Sequence, residues 1–424
     1  MKGSRPLTLL DVTCIGVNAV VGSSIFLFPG RLAEYLGPAS ILSFGLVGLL
    51  LIHVGLCFAE ASTYFTRTGG PYLYAKEAFG DWTGFGIGWM AWITQVFSWA
   101  AVANAIAVYL GALGPSLSGP WIVKGTAATV VLSMGTLNYR GVKLGAWTSN
   151  FFTAAKLLPL LLFVFMGLPH VSAANYSPFA PQGWAPMGSA CFLAYFAFQG
   201  FEYIPVPSGE VDRPARNIPL ALILALTLSA ALYMAIQAVA VGVHPGLTQS
   251  QRPLAEAALR VLGPWGMGLM VLGAVFSTTG YNASSALVTP RYLVAMAEDR
   301  HLSPRLAALH PRFQTPHLAV VCTTALTLVL AMFLDFNKLV DFSNVVVCAQ
   351  YTATCASIPW LRRRCTAPEG SFRLPGGFLI PSIGIAATLW LGAQGGMGQV
   401  WWSLGILAFG LGLKAIIGFR ASKN

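Results

Sequence analysis

The chain has 424 residues, of which 56% are hydrophobic and 9% charged, and its net charge is +11. Soluble domains carry about 25% charged residues, so the composition excludes a water-soluble globule and points to a surface that faces lipid. The positive charge sits between apolar runs, which excludes a nucleic-acid-binding face and points to membrane topology.

The apolar runs recur along the whole chain at about 20 residues each, enough for a helix to cross a hydrocarbon core of roughly 30 Å. They are continuous rather than alternating, so they predict helices and not barrel strands. In chain order the expected spans are 8–33, 38–65, 82–113, 122–138, 144–168, 186–207, 217–243, 264–298, 316–335, 339–361, 376–395 and 398–418. The fold class expected is therefore an all-α integral membrane protein of about twelve transmembrane helices in a single domain, 1–424. With the N-terminus inside, 19 of the 25 Lys and Arg fall at cytoplasmic ends and loops. Arg31, Lys124, Arg252, Arg260 and Lys338 fall on the opposite side, and Lys156 lies within a span. That asymmetry predicts cytoplasmic N- and C-termini, with the basic side against anionic membrane lipids. The first run is long and lacks a clear cleavage site, so it reads as a retained helix rather than a removed signal peptide. The seven cysteines form no CxxC pair and mostly fall inside spans, so they read as small packing residues.

Two spans are interrupted. The first contains Gly22-Ser23-Ser24-Ile25-Phe26 and then Pro29-Gly30; the sixth contains Phe196-Ala197-Phe198-Gln199-Gly200-Phe201-Glu202 and then Pro205 and Pro207. Gly and Pro weaken a helix by about 1 and 3 kcal/mol. These spans are five helices apart, an odd number, so a second five-helix unit would be inverted relative to the first. The arrangement expected is a 5+5 inverted repeat, about 8–168 and 186–361, with helices 1 and 6 broken and two further helices, about 376–418. Interrupted helices at matching positions of inverted halves point to a transporter's central site. The alternative is close helix packing through small residues.

Lys156 is an ionisable residue within the fifth span, and such residues are functional candidates. By position alone, snorkelling to the head groups is an equal alternative. Glu202 either takes part in proton handling and gating or caps the interrupted helix. Glu60 reads as one half of a structural ion pair, Asn282 as a bond between helices, and His53 as a packing residue. Glu210, Asp212, Arg213 and Arg216 form a loop cluster that either latches the inner gate or stays solvated.

Several of these runs resemble motifs of the amino acid–polyamine–organocation permeases. Ile15-Gly16 and Gly22-Ser23-Ser24-Ile25-Phe26 resemble that family's first-helix GSGIF motif. Thr68-Gly69-Gly70-Pro71-Tyr72-Leu73-Tyr74 is similar to its GGxYxY loop, and Asn138-Tyr139-Arg140-Gly141-Val142-Lys143 to its turn before helix five. Gly200-Phe201-Glu202 through Glu210 and Pro214 to Pro219, and Pro290-Arg291-Tyr292 through Asp299 and Pro304 to Pro316, complete the resemblance. It implies the leucine-transporter-like fold and secondary active transport of amino acids in the cell (inner) membrane. It places a substrate carboxylate at Gly22, Ser23, Ser24 and Ile25. The amine falls at carbonyls of Val20, Phe196, Ala197 and Gln199, with Phe198 and Gly200 beside them. The physics agrees: amides opening a helix suit a carboxylate, and carbonyls ending one suit an ammonium. Phe196 falls where the family has an aromatic lid, or else it packs. Ser24 departs from the pattern by replacing the second glycine of GSG. Lys156 falls where proton-coupled members carry a lysine in place of sodium, contacting helix one and Ser277-Thr278-Thr279. The coupling ion implied is H+, with no cofactor and no metal.

No HExxH, GxSxG or His/Asp ligand cluster is present, so an intramembrane enzyme is not expected. Few acidic residues lie in the spans, and a polyamine would want a carboxylate partner. The substrate expected is therefore a neutral amino acid taken up by proton symport. Exchange, or amine and polyamine transport, is the alternative, and the oligomeric state stays open.

Overall fold

The computed structural model describes residues 7–65, 67, 69–111, 116, 119–141, 146–205 and 211–421, the side chains of 146–150 and 418–421 excepted. Lys2, Arg5, Lys143, Arg420 and Lys423 of the charge pattern, Thr68 and Val142 of the motifs, and Pro207 and Glu210 beyond the sixth-span interruption lie outside the described residues.

Among the described residues fourteen α-helices follow in chain order: α1 (Leu9–Val20), α2 (Ser24–Leu36), α3 (Ser40–Thr63), α4 (Pro71–Phe79), α5 (Asp81–Leu110), α6 (Pro120–Tyr139), α7 (Ala146–Gly167), α8 (Met187–Phe198), α9 (Pro214–Val243), α10 (Pro253–Glu298), α11 (His317–Phe333), α12 (Phe336–Arg364), α13 (Leu379–Ala393) and α14 (Met397–Ala421). Each apolar run read from the sequence contains helix among the described residues. Among the described residues the extended pairing is confined to a parallel bridge between Leu7 and Val211. Two features lie outside the expected spans. A short helix, α4, joins α3 to α5, started by Pro71 at its first position and ended by Gly80 at φ 92°. The helix expected from 264 begins instead at Pro253 and bends at Gly263, whose φ is 67°. Its first turns hold because Leu254, Ala255, Ala257 and Ala258 are buried.

Among the described residues six helical runs are long and apolar enough to cross a membrane: 24–63, 81–110, 151–170, 214–243, 253–298 and 397–417. Leu9–Val20, His317–Phe333 and Leu379–Ala393 are shorter apolar helices. α12 falls short on composition because it turns Ser343, Asn344, Gln350, Thr354 and Ser357 into the protein. A helix whose polar face is buried needs no apolar average to sit in a bundle.

The most apolar stretch of α5 is 89% buried, against 17% for α14, so α5 is the central pillar and α14 the periphery. α3 and α9 pack through small residues. A Cβ on Gly48 would meet Ala230 at 2.7 Å, and one on Gly55 would meet Leu226 at 2.5 Å. Such close backbone approach substitutes for the hydrophobic drive that lipid does not supply. One end of the bundle collects ion pairs. Fully buried Glu60 accepts from the Arg362 guanidinium at 2.7 and 2.8 Å, and also from the Leu374 amide. Asp299 accepts from Lys76 Nζ and the Tyr72 hydroxyl, both at 2.6 Å. Burial alone would raise the Asp299 pKa, but these two donors, together with the Lys76 and Arg67 charges, hold it below its ordinary value.

Candidate functional site

The site begins where two helices stop. α1 ends at Val20 and α2 opens at Ser24, so Val21, Gly22 and Ser23 form a break rather than a helix. Ser24 and Ile25 open α2, so their amides have no carbonyl one turn back to donate to. α8 ends at Phe198, Gln199 is extended at ψ 146°, and Gly200 takes φ 119° before a 3-10 turn, Phe201–Tyr203. The positive φ explains one glycine; packing explains it again. A Cβ on Gly200 would lie 2.5 Å from the Ala19 carbonyl oxygen, so the second break rests directly on the backbone of α1.

Three side chains tie the breaks to continuous helices. The Tyr233 hydroxyl of α9 reaches the carbonyl oxygens of Val20 and Ala197, each at 3.0 Å, bridging both breaks. Ser277 of α10 reaches the carbonyls of Val21 at 2.9 Å and Gly22 at 3.1 Å. Lys156 of α7, fully buried, donates through Nζ to the carbonyls of Asn18 at 2.9 Å and Val21 at 2.7 Å. The lysine therefore does not snorkel. One turn earlier, Thr153 donates to the Cys14 carbonyl at 3.0 Å, so this face of α7 follows α1 toward its break. Of the expected Ser277-Thr278-Thr279 contact, Ser277 shares the Val21 carbonyl with Lys156, whereas Thr278 donates back to Ala274 of its own helix.

Glu202 is buried with both carboxylate oxygens engaged. Oε2 accepts from the Gly200 amide at 2.8 Å and the Tyr351 hydroxyl at 2.7 Å, and Oε1 accepts from Gln95 Nε2 at 3.1 Å. It caps the second break. Gln199 is likewise held: Nε2 donates to Asn344 Oδ1 at 2.7 Å, and Oε1 accepts from Ser343 at 2.8 Å.

Val20, Gly22, Ser23, Ser24, Phe196 and Gln199 line one small space together with Ala19, Val102 and Tyr281. Ile25, Ala197, Phe198 and Gly200 stand behind it; Phe198 packs on the rings of Phe44 and Tyr233. The space measures about 10 Å³, room for about one water, so in this arrangement it is too small for an amino acid. The Ser23 hydroxyl is buried with no partner among the described residues. Phe196 packs tilted against Phe28 and edge-on against Phe336 at ring-centroid distances of 6.2 and 6.4 Å, joining α2, α8 and α12 beside the breaks. A Cβ on Gly22 would meet the Tyr281 ring edge at 3.8 Å, an ordinary contact, which leaves the turn unobstructed.

Tyr233, Val102 and Tyr281 were not singled out in the sequence; each is an ordinary helix residue there, and no motif marks it. Other expectations fall elsewhere. Asn282 donates to Thr278 within its own helix rather than across helices, and His53 bonds to Leu49 one turn back. In the loop cluster, the Asp212 amide donates to the Leu7 carbonyl at 2.9 Å, a backbone link between the segment before α1 and the loop before α9. Among the described residues no His, Cys, Asp and Glu group is spaced to hold a metal.

A profile described as "Amino acid permease" matches residues 7–413. The chain is 29% identical to a methylthioribose transporter of Bacillus subtilis (strain 168), over 91% of this chain and 87% of that protein. It is 30% identical to cationic amino acid transporter 4 of Homo sapiens, over 87% of this chain and 61% of that longer protein. It is 26% identical to a branched-chain amino acid permease of Bacillus subtilis (strain 168), over 91% and 87%. The family and these relatives are membrane transporters, not enzymes. With a match that runs from Leu7 to Leu413, the chain belongs to the amino acid permease family.

Proposed function

We propose that this protein is a secondary active transporter that imports a neutral amino acid across the cell membrane, coupled to inward movement of H+. About twelve crossings in a 5+5 inverted repeat, plus two further helices, with both termini cytoplasmic, complete the reading. The observation that carries it is the pair of helix breaks facing one space, with amides on one side and carbonyls on the other. An α-amino acid has one group for each. The unpartnered Ser23 hydroxyl adds a donor for the carboxylate. No free carboxylate lines the space, because Glu202 spends both oxygens on Gly200, Tyr351 and Gln95. A strongly cationic side chain would there lack a counter-charge. The relatives' names cover cationic and branched-chain amino acids and a methylthioribose, so the family alone does not select the substrate; the uncharged lining supports a neutral one.

Lys156 supports coupling because its ammonium holds the Asn18 and Val21 carbonyls, where α1 runs out into the first break. Losing its proton removes donors from the element that binds substrate. A fixed ammonium supports a second reading, obligate exchange, since its contacts are satisfied by Asn18 and Val21 alone. Proteoliposomes separate the two. Uptake of a neutral amino acid into empty vesicles, driven by an inward-acid pH gradient, is the expected result. Uptake only into preloaded vesicles assigns exchange instead. Lys156→Ala is expected to abolish the pH-dependent part of uptake; a variant with the full pH response would remove Lys156 from the coupling step.

A further inference from the structure

α5 reaches the breaks through side chains of one face, and that face has a regular pattern. Gln95, Ser98, Val102 and Tyr109 recur at intervals of three, four and seven residues, one side of a helix. Gln95 donates to Glu202, Ser98 bonds to Ser343 at 2.8 Å, and Tyr109 donates to the Phe26 carbonyl. Val102 is the member of this row without a polar group, and it lines the space between the breaks.

If the amino and carboxylate groups of a substrate occupy the broken ends, its side chain meets what remains of the lining. Tyr281 stands beside Gly22, near the carboxylate end. Gln199 is held by Asn344 and Ser343 and offers no free amide head. Phe196 is fixed among Phe28 and Phe336. The wall left for the side chain is Val102 and Phe196 with Ala19 and Val20, all apolar, and Val102 is its member on α5. Val102 cannot swing aside. A valine in a helix has one strongly preferred χ1, and its neighbours Ala101 and Ala103 are fully buried, so the helix has no slack behind it.

We infer that Val102 sets the size limit of the substrate side chain, and that the transported class is neutral amino acids with small aliphatic side chains, with alanine accepted and leucine rejected. This rests on the reading of the space as the substrate site. Changing an apolar wall by one or two methyl groups alters discrimination by about 10- to 200-fold.

The test measures thermal shifts of the purified protein, and competition for alanine uptake in proteoliposomes, with glycine, alanine, valine, leucine, phenylalanine and arginine. The wild type is expected to respond to alanine and not to leucine, phenylalanine or arginine. In Val102→Gly the leucine-to-alanine ratio of apparent affinities is expected to rise at least tenfold, with a smaller rise in Val102→Ala. The ratio is taken within one variant, so a lower yield of folded protein cancels, and Val102→Ala carries the test if the glycine variant does not fold. Binding of alanine with an unchanged ratio in both variants would overturn the size limit while leaving the substrate site intact. Best binding of leucine or arginine by the wild type would overturn it as well. No response to any amino acid would overturn the substrate site itself, and the inference with it.

Discussion

Tyr233 shows how much a single hydroxyl can organise. Its ring packs between Phe44 and Phe198, and its oxygen touches a carbonyl on each interrupted helix. The Val20 carbonyl also accepts from the Gly22 amide at 2.9 Å, so both of its lone pairs are used. A substrate ammonium that takes this carbonyl must displace one of the two donors, and the hydroxyl is the freer to rotate. Tyr233→Phe keeps the ring contacts and removes the bridge. The one hydroxyl proton is shared between the two carbonyls, so its loss is worth about 1 kcal/mol and lowers initial uptake by about fivefold, with the melting temperature little changed. Wild-type uptake in this variant would show that the hydroxyl merely fills space. No sequence signal distinguishes Tyr233 among the 13 tyrosines. Its partners lie 213 and 36 residues away, and only the folded chain brings them within reach.

At the scale of elements, the interruptions were the legible part. Gly22 with two serines, and Gln199-Gly200 with prolines after, announce chain that does not continue as helix, and both predicted breaks exist. Lys156 was legible in part: as an ionisable residue inside an apolar span it was a functional candidate, but the residues alone allowed snorkelling equally, and the resemblance placed it against helix one. The bend at Gly263 and the early start of α10 were not, since buried alanines over two turns carry no periodic contrast. Nor was the role of Glu202, where the residues alone allowed a cap as readily as a proton site. The break in α8 depends on Gly200 twice, through its φ of 119° and through contact with Ala19. Gly200→Ala therefore adds about 1–3 kcal/mol of backbone strain on top of a clash with backbone that cannot rotate away. The expected outcome is a lower melting temperature in detergent and loss of uptake together. A stable Gly200→Ala protein that transports normally would mean that α1 and the second break do not touch as closely as they do here.

Over the whole molecule, the two breaks are joined to opposite partners. α1 is tied to α7 through Lys156 and Thr153 and to α10 through Ser277, while the second break is tied to α5 and α12 through Glu202 and Gln199. Tyr233 and the Gly200–Ala19 contact span the two sets. A transporter that alternates access must shift one set against the other around the site. At the end of the bundle where α1 begins, the sets are also joined by backbone, through the Leu7–Val211 bridge and the bond from the Asp212 amide to the Leu7 carbonyl. The residues cited in this link are neighbours across two segments, so replacing both by cysteine places a disulfide within ordinary reach. In a background with the seven native cysteines replaced, oxidised Leu7→Cys/Val211→Cys protein is expected to lose uptake while keeping a thermal shift with substrate, and a reductant restores uptake. Retained binding separates a locked gate from a ruined site. If the oxidised protein transports at the rate of the reduced one, this end of α1 does not move in the cycle, and the small space between the breaks must open at the Phe28–Phe196–Phe336 side alone.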